Sequence, residues 1–303
     1  RPGIRDREVL IRVRAAGVDR SVWHVMTGRP YLIRLVGFGL RPPKAGRVLG
    51  SEVAGEVVEV GPRVTRVRPG DEVMGTCDGS FAEYASARED RLARRPSNVT
   101  IQQAATAGIS AITALQALRD QGRVAAGQRV LIAGASGGVG TFAVQLAKVF
   151  GAEVTGVCST SKVDLVRSLG ADRVIDYTRG DITDDGRPYD LILDIGGNRP
   201  LSLLRSRLAP RGTLVMVGGE GGGRWSGMGR QLQAVAISPV VRQRLRVFIA
   251  NANHKDLETL RELIEAGKLT PVLDRTYPLD EAPEAIRYLE AGRARGKVVV
   301  TVP

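Results

Sequence analysis

From Arg129 to Val217 short apolar runs alternate with stretches whose apolar residues recur at helical spacing. Val130 to Ala133, Glu153 to Val157, Arg173 to Ile175, Asp190 to Asp194 and Gly212 to Val217 read as strands. Lys162 to Leu169 and Leu201 to Leu208 read as helices, and Phe142, Leu146, Val149 and Phe150 share one face of another that ends at Gly151. This alternation predicts an α/β fold with a doubly wound parallel sheet.

The two ends of the chain have a different texture. Glu8 to Val13 alternates as a strand, Val48 to Val60 reads as two short strands broken around Gly55, and Arg68-Pro69-Gly70-Asp71 is a turn leading into another strand. Short strands punctuated by Gly and Pro predict a small β-barrel over residues 1 to 100. Because the first strand begins after only seven residues, we expect an N-terminal hairpin ahead of Arg1. From Thr100 an Ala-rich helical pattern begins, with Ile101, Ala104, Ala105, Ile109, Ile112 and Leu115 expected inside. After Ile249 two amphipathic helices are expected, one through Leu257, Leu260, Leu263 and Ile264 and one capped by Asp280, before a closing strand at Val298 to Val302. The expected domains are therefore 1 to 100 with 251 to 303, and 101 to 250.

Composition adds limits rather than identity. The 303 residues, 43% hydrophobic and 25% charged, suffice for two cores. No run approaches the roughly 18 apolar residues of a membrane span, and RPGIRDREVL has no signal-peptide apolar region, which predicts a cytoplasmic location. Cys77 and Cys158 form neither a disulfide framework nor a CxxC metal site. The net charge of +12 invites a nucleic-acid reading, but the arginines are scattered, aromatic residues make up only 4%, and no RNA or DNA motif is present. No membrane partner and no specific nucleic acid are expected.

The chemistry is concentrated at VLIAGASGGVGTFAVQLAKVF, Val130 to Phe150. A strand, a glycine-rich turn and a helix succeed one another, the order that brings a pyrophosphate to the unpaired amides and positive dipole of a helix start. The expected cradle runs through Gly134, Ser136, Gly137, Gly138, Val139 and Gly140. About 20 residues on, where an NAD site carries an acid for the ribose 2′-hydroxyl, the chain reads Cys158-Ser159-Thr160-Ser161-Lys162. Hydroxyls and a lysine there suit a 2′-phosphate, so NADPH is the expected cofactor.

The run Gly134 to Gly140, AGEVVEVGPRVTRVRPGDEVMG at Ala54 to Gly75, FAEYA at Phe81 to Ala85 and GKLTPVLDRTYPLDEAPEA at Gly267 to Ala285 resemble the medium-chain dehydrogenase/reductase superfamily, most closely its zinc-independent quinone oxidoreductase, or zeta-crystallin-like, branch. The resemblance implies a GroES-like β-barrel catalytic domain built from both chain ends, a central Rossmann domain, the nicotinamide in the cleft between them, and a homodimer. It also implies cofactor contacts at Ser159, Thr160, Lys162 and Tyr177 for the 2′-phosphate, at Asp194, Gly196 and Gly197, at Gly218 and Gly219, and at Phe248 and Lys297.

Zinc-dependent relatives take their catalytic ligands from Gly-Val-Cys and Gly-His-Glu segments and from the first interdomain helix. The matching places here read Gly17-Val18-Asp19, Gly50-Ser51-Glu52 and Thr106-Ala107, and the four-cysteine structural lobe is absent. No metal is expected. Without a Lewis acid an alcohol is a poor substrate, whereas a quinone or α,β-unsaturated carbonyl spreads the charge that hydride transfer creates. By resemblance Tyr31 is a hydrogen-bond donor to substrate or part of a pocket wall, and Asp19 replaces a polar asparagine at the cofactor or substrate. Trp225 and Met228, in the irregular stretch Gly219 to Arg230, are candidate substrate contacts. The primary expectation is an NADPH-dependent quinone or enone reductase. Two alternatives stay open: an enoyl-thioester reductase, free-standing or derived from a larger synthase, and a dinucleotide-bound regulatory or RNA-binding protein with little catalysis.

Overall fold

The computed structural model describes residues 1–27, 48–182, 186–218 and 229–303. The described chain forms two compact units, one from residues 1–27, 48–112 and 251–303, the other from 113–182, 186–218 and 229–250.

The first unit opens with β1 (Glu8–Val18), helix α1 (Arg20–Thr27), β2 (Glu52–Val60), β3 (Glu72–Thr76), β4 (Tyr84–Arg88) and β5 (Leu92–Arg94). β1 runs well past the alternating stretch because both of its edges are paired: β2 lies along one side and β4 along the first half of the other. Two register shifts, at Leu10/Ile11 and Val13/Ala15, turn the strand and interrupt the alternation that sequence reading relies on. β2 is one strand rather than two. Gly55 does not break it; a side chain there would press into Arg12 O and Ile11 Cγ2 of β1, the latter at 2.9 Å, so glycine permits close pairing.

Short helices α2 (Ile101–Ala104) and α3 (Ser110–Gln116) follow. A Thr100–Gln103 capping box starts α2, a device worth about 1 kcal/mol. Residues 101–112 belong to the first unit, so its limit lies beyond the texture change at Thr100. The physical tie is Glu52 of β2, whose Oε1 accepts from the amides of Ile109 and Ser110 at 2.6 and 3.0 Å.

The second unit contains β6 (Arg129–Ala133), α4 (Gly138–Val149), β7 (Glu153–Cys158), α5 (Val163–Ser168), β8 (Arg173–Asp176), β9 (Tyr189–Asp194), α6 (Leu201–Ser206), β10 (Leu208–Met216), α7 (Gly229–Ile237) and β11 (Arg244–Val247). Its strands pair in parallel in the order β11-β10-β9-β6-β7-β8. This is the doubly wound order, whose direction reverses between β6 and β9 and opens a ligand crevice at their C-terminal ends. The central strands are buried on both faces, which is why they read as apolar runs. α4 buries Phe142, Ala143, Leu146 and Ala147, whereas Val149, expected inside, is 37% exposed in the last turn.

The chain then returns to the first unit through α8 (His254–Glu265), β12 (Leu273–Pro278), α9 (Ala282–Glu290) and β13 (Lys297–Thr301). β13 pairs antiparallel with Ala15–Val18 of β1 and parallel with β12, completing the sheet β12-β13-β1-β2-β3-β5. Val9, Val13, Val53, Val57, Val73, Val298 and Val300 form its core. Asp280 does not cap α9: the N-cap is Glu281, after a short 3-10 turn, and it makes no side-chain capping bond.

Candidate functional site

The glycine turn lies at the reversal point of the parallel sheet. The amides of Gly134 and Ala135 both donate to Val157 O at 3.1 Å, fastening the turn to the end of β7, and Gly137 is the N-cap of α4. Thr141 N donates to Gly137 O at 2.9 Å, so the amides of Gly138, Val139 and Gly140 precede the first helical bond. Gly137, Gly138 and Val139 are half-buried and Ser136 is buried. A Cβ on Gly140 would sit 2.7 Å from Ala135 C, whereas one on Gly137 would meet nothing nearer than Gly134 O at 3.5 Å. Gly140 thus lets helix and turn pack, and Gly137 keeps the approach to the amides open. These residues fit the diphosphate of a dinucleotide.

At the end of β7 the structure adds a group that linear reading does not bring there. β8 pairs with β7 in the register Cys158↔Asp176. Asp176 accepts from Thr160 Oγ1 at 2.5 Å and from Thr178 Oγ1 and N at 2.7 and 3.0 Å. The hydroxyl bond from Thr160, above all, holds the Asp176 carboxyl below the usual carboxylate range. The position that lacks an acid in sequence therefore has one in space. Ser159 and Lys162 are half-buried beside it; Tyr177 is 53% exposed, with the Arg199 guanidinium 5.9 Å from its ring centre.

The loops after β9 and β10 complete this edge. Asp194 is fully buried; its Oδ1 accepts from Gly197 N at 3.2 Å and its Oδ2 pairs with Arg230 Nη2 of α7 at 2.5 Å. Gly218 N donates to Asp194 O, and Gly196 N to Ala133 O, so the loops after β6, β9 and β10 are joined through their backbones. Arg230, which the sequence marks only as the end of an irregular stretch, keeps Nε and Nη1 buried without partners. Phe248 is half-buried just after β11. Gly219, Trp225 and Met228 lie outside the described residues.

In the first unit Asp19 is the N-cap of α1. Its Oδ1 accepts from Ser21 N at 2.7 Å, while Oδ2 is buried without a partner. Nearby, Lys297 Nζ donates to Glu52 Oε2 and, at 3.3 Å, to Val18 O. Burial pushes the Glu52 carboxyl up, Lys297 pulls it down, and the charge of Asp19 pushes it up again. Lys297, expected to reach a cofactor, has its ammonium committed to this buried pair. Tyr31 lies outside the described residues.

The donors at these positions do not suit a tetrahedral metal. Asp19 uses one oxygen as a cap, the Thr106 hydroxyl donates back to Gln103 O at 2.7 Å, and an ammonium already faces Glu52. Among the described residues no three His, Cys, Asp or Glu side chains gather in a metal-binding group. Burial above all pushes the Cys77 thiol to about 12 and the Cys158 thiol to about 11, so neither is a thiolate near neutral pH. No described helix is long and apolar enough to cross a membrane.

Comparison with known proteins matches residues 5–97 to the alcohol dehydrogenase GroES-like domain and 169–300 to a family described as zinc-binding dehydrogenase. The chain is 35% identical over 292 residues to the mitochondrial NAD(P)H oxidoreductase RTN4IP1 of Mus musculus, covering 84% of this chain and 70% of that protein. It is 33% identical to 2-methylene-furan-3-one reductase of Solanum lycopersicum, covering 99% and 73%. Among solved structures, the quinone oxidoreductase from Coxiella burnetii superposes with a TM-score of 0.85 at 29% identity, covering 100% of this chain and 92% of that one.

Proposed function

The chain belongs to the medium-chain dehydrogenase/reductase superfamily, in its quinone oxidoreductase branch, and on that premise we propose a zinc-independent reductase that passes hydride from NADPH to quinones or α,β-unsaturated carbonyls. The observation that carries this reading is the glycine turn at the sheet's reversal point, with three helix-start amides ahead of the first helical bond.

When bound, the nicotinamide supplies a hydride. The chain's own part is to bind and orient. The amides of Gly138, Val139 and Gly140 would receive the diphosphate, and the joined loops at Asp194 to Gly197 and Gly218 would limit how the rest of the dinucleotide lies. Ser159, Lys162 and Tyr177 are the proposed 2′-phosphate contacts; Thr160, expected with them, gives its hydroxyl proton to Asp176. A substrate that delocalises its own negative charge needs positioning and a hydrogen bond rather than a metal. Tyr31 is the proposed donor, Asp19 Oδ2 a second polar contact, and Trp225 and Met228 substrate contacts.

We also propose a homodimer through the open β11 edge. Leu232, Val235, Val240 and Ile249 are 57%, 63%, 83% and 72% exposed around that edge. Among the described residues β11 pairs on one side only, the usual condition for strand addition by a second copy.

The test is NADPH oxidation by chelator-treated protein with 1,4-naphthoquinone, a small enone, a simple ketone and a crotonyl thioester. Turnover with the quinone or enone, unchanged by chelation, is expected. Activity lost with zinc removal, or confined to the ketone or the thioester, overturns the reading.

A further inference from the structure

Resting on that cofactor reading, we propose that Asp176 is a specificity-determining residue that holds back discrimination for NADPH over NADH: it places a carboxylate beside the end of β7, and it takes up the Thr160 hydroxyl proton that a 2′-phosphate there would otherwise receive.

The sheet brings the acid into place. β7 and β8 are parallel neighbours, and the pairing of Cys158 with Asp176 sets the end of β8 beside the residues that follow β7. Tyr177 N donates to Cys158 O at 3.1 Å, which continues this alignment past the last paired residue. In a doubly wound dinucleotide site the end of the second strand is where the adenosine ribose is distinguished, and a carboxylate there accepts from the 2′-hydroxyl. Asp176 arrives from the third strand, too far along the chain for the usual spacing to find.

The hydroxyls around it are already engaged. Thr160 Oγ1 lies 2.5 Å from Asp176 Oδ2, Thr178 Oγ1 lies 2.7 Å from Asp176 Oδ1, and the two hydroxyl oxygens are 2.7 Å apart. The two hydroxyl protons are used within this triad, and with both given to Asp176 the contact between the two hydroxyl oxygens holds none. Thr160 therefore presents lone pairs outward and has no proton left for a phosphate oxygen. A ribose 2′-hydroxyl, which is itself a donor, is matched by those lone pairs; a dianionic phosphate meets a like charge instead. Arg179 Nε lies 3.7 Å from Asp176 Oδ2 and offsets part of that charge. Lys162 and Tyr177 favour the phosphate while Asp176 opposes it, so use of both cofactors is the expected balance.

The experiment measures equilibrium binding of 2′-phospho-ADP-ribose and ADP-ribose by calorimetry, and kcat/KM for NADPH and NADH with 1,4-naphthoquinone, for the wild-type protein, Asp176→Asn and Asp176→Ser. The wild type is expected to bind the two fragments within about tenfold of one another, and both variants to shift the ratio by about tenfold toward the phosphorylated fragment. The serine variant removes the charge while keeping a hydroxyl partner for Thr160, in case asparagine disturbs folding. Loss of affinity for both fragments by the same factor shows a purely structural residue and overturns the proposal. So does a wild-type preference for the phosphorylated fragment above about a hundredfold, which needs no variant. Binding of both fragments with an unchanged ratio in the variants overturns this proposal alone; binding of neither by the wild type overturns the cofactor reading with it.

Discussion

Lys297 Nζ donates to Glu52 Oε2 in the interior of the first unit, where the two side chains are 2% and 0% exposed. The pair joins β13 to β2, and the other Glu52 oxygen binds the amides at the start of α3. A side chain on Gly17 would collide with Glu52 Oε2 and stand 2.6 Å from Ala105 O, so β1 carries glycine where it passes the pair.

Removing one member leaves the other charge buried. Lys297→Ala is expected to cost about 3 to 5 kcal/mol, read from urea unfolding, whereas Lys297→Met combined with Glu52→Gln should recover much of that loss. An unchanged midpoint for Lys297→Ala would show that the pair contributes nothing.

Asp194 and Arg230 allow a parallel test in the second unit. Arg230→Ala strands a fully buried carboxylate and should destabilise the protein by about 3 to 5 kcal/mol. Asp194→Asn in the same background should lessen the defect in thermal melts. If the double variant is no better than Arg230→Ala, Asp194 is not the group being compensated.

The two glycines of the turn should separate packing from binding. Gly140→Ala forces the turn away from the helix, with about 1 to 3 kcal/mol lost and nucleotide affinity lowered as well. Gly137→Ala meets nothing closer than 3.5 Å, so its melting temperature should hold while affinity for ADP-ribose falls by about tenfold. Equal affinity losses with equal losses of stability would remove the distinction.

Asp172 links stability to pH. Burial raises its carboxyl, but bonds from Lys148 Nζ and Val154 N outweigh this, and the folded-state value is lowered. The stabilisation is therefore present above the unfolded value of about 3.9 and lost as pH falls through the lower folded value. Asp172→Asn should be less stable than the wild type near neutral pH, and the gap in urea unfolding should close below about pH 3.9. A gap that persists undiminished well below about pH 3.9 would exclude the linkage.

Much of this architecture is legible along the chain because it depends on neighbours. Val130 to Ala133, the glycines after it and the face through Phe142 and Leu146 lie within one strand, one turn and one helix, so periodicity and turn chemistry reveal them. Gly55 misled that reading because a glycine that breaks a strand and one that admits a neighbouring strand look alike until β1 is beside it. Val149 has the right spacing to be inside, but only the packed helix shows that its last turn is open to solvent.

The alternating order of strands and helices, the phosphate-type turn and the presence of Asp19 and Ser51 in place of Cys or His are legible along the chain alone, since each is carried by residue types at short separations. Folding in three dimensions settles which polar groups meet: Glu52 with Lys297 and Asp194 with Arg230 as ion pairs, and Asp176 with the Thr160 hydroxyl. Each pair spans a stretch of chain that no local period describes, and it forms only because strand register and burial bring those side chains together.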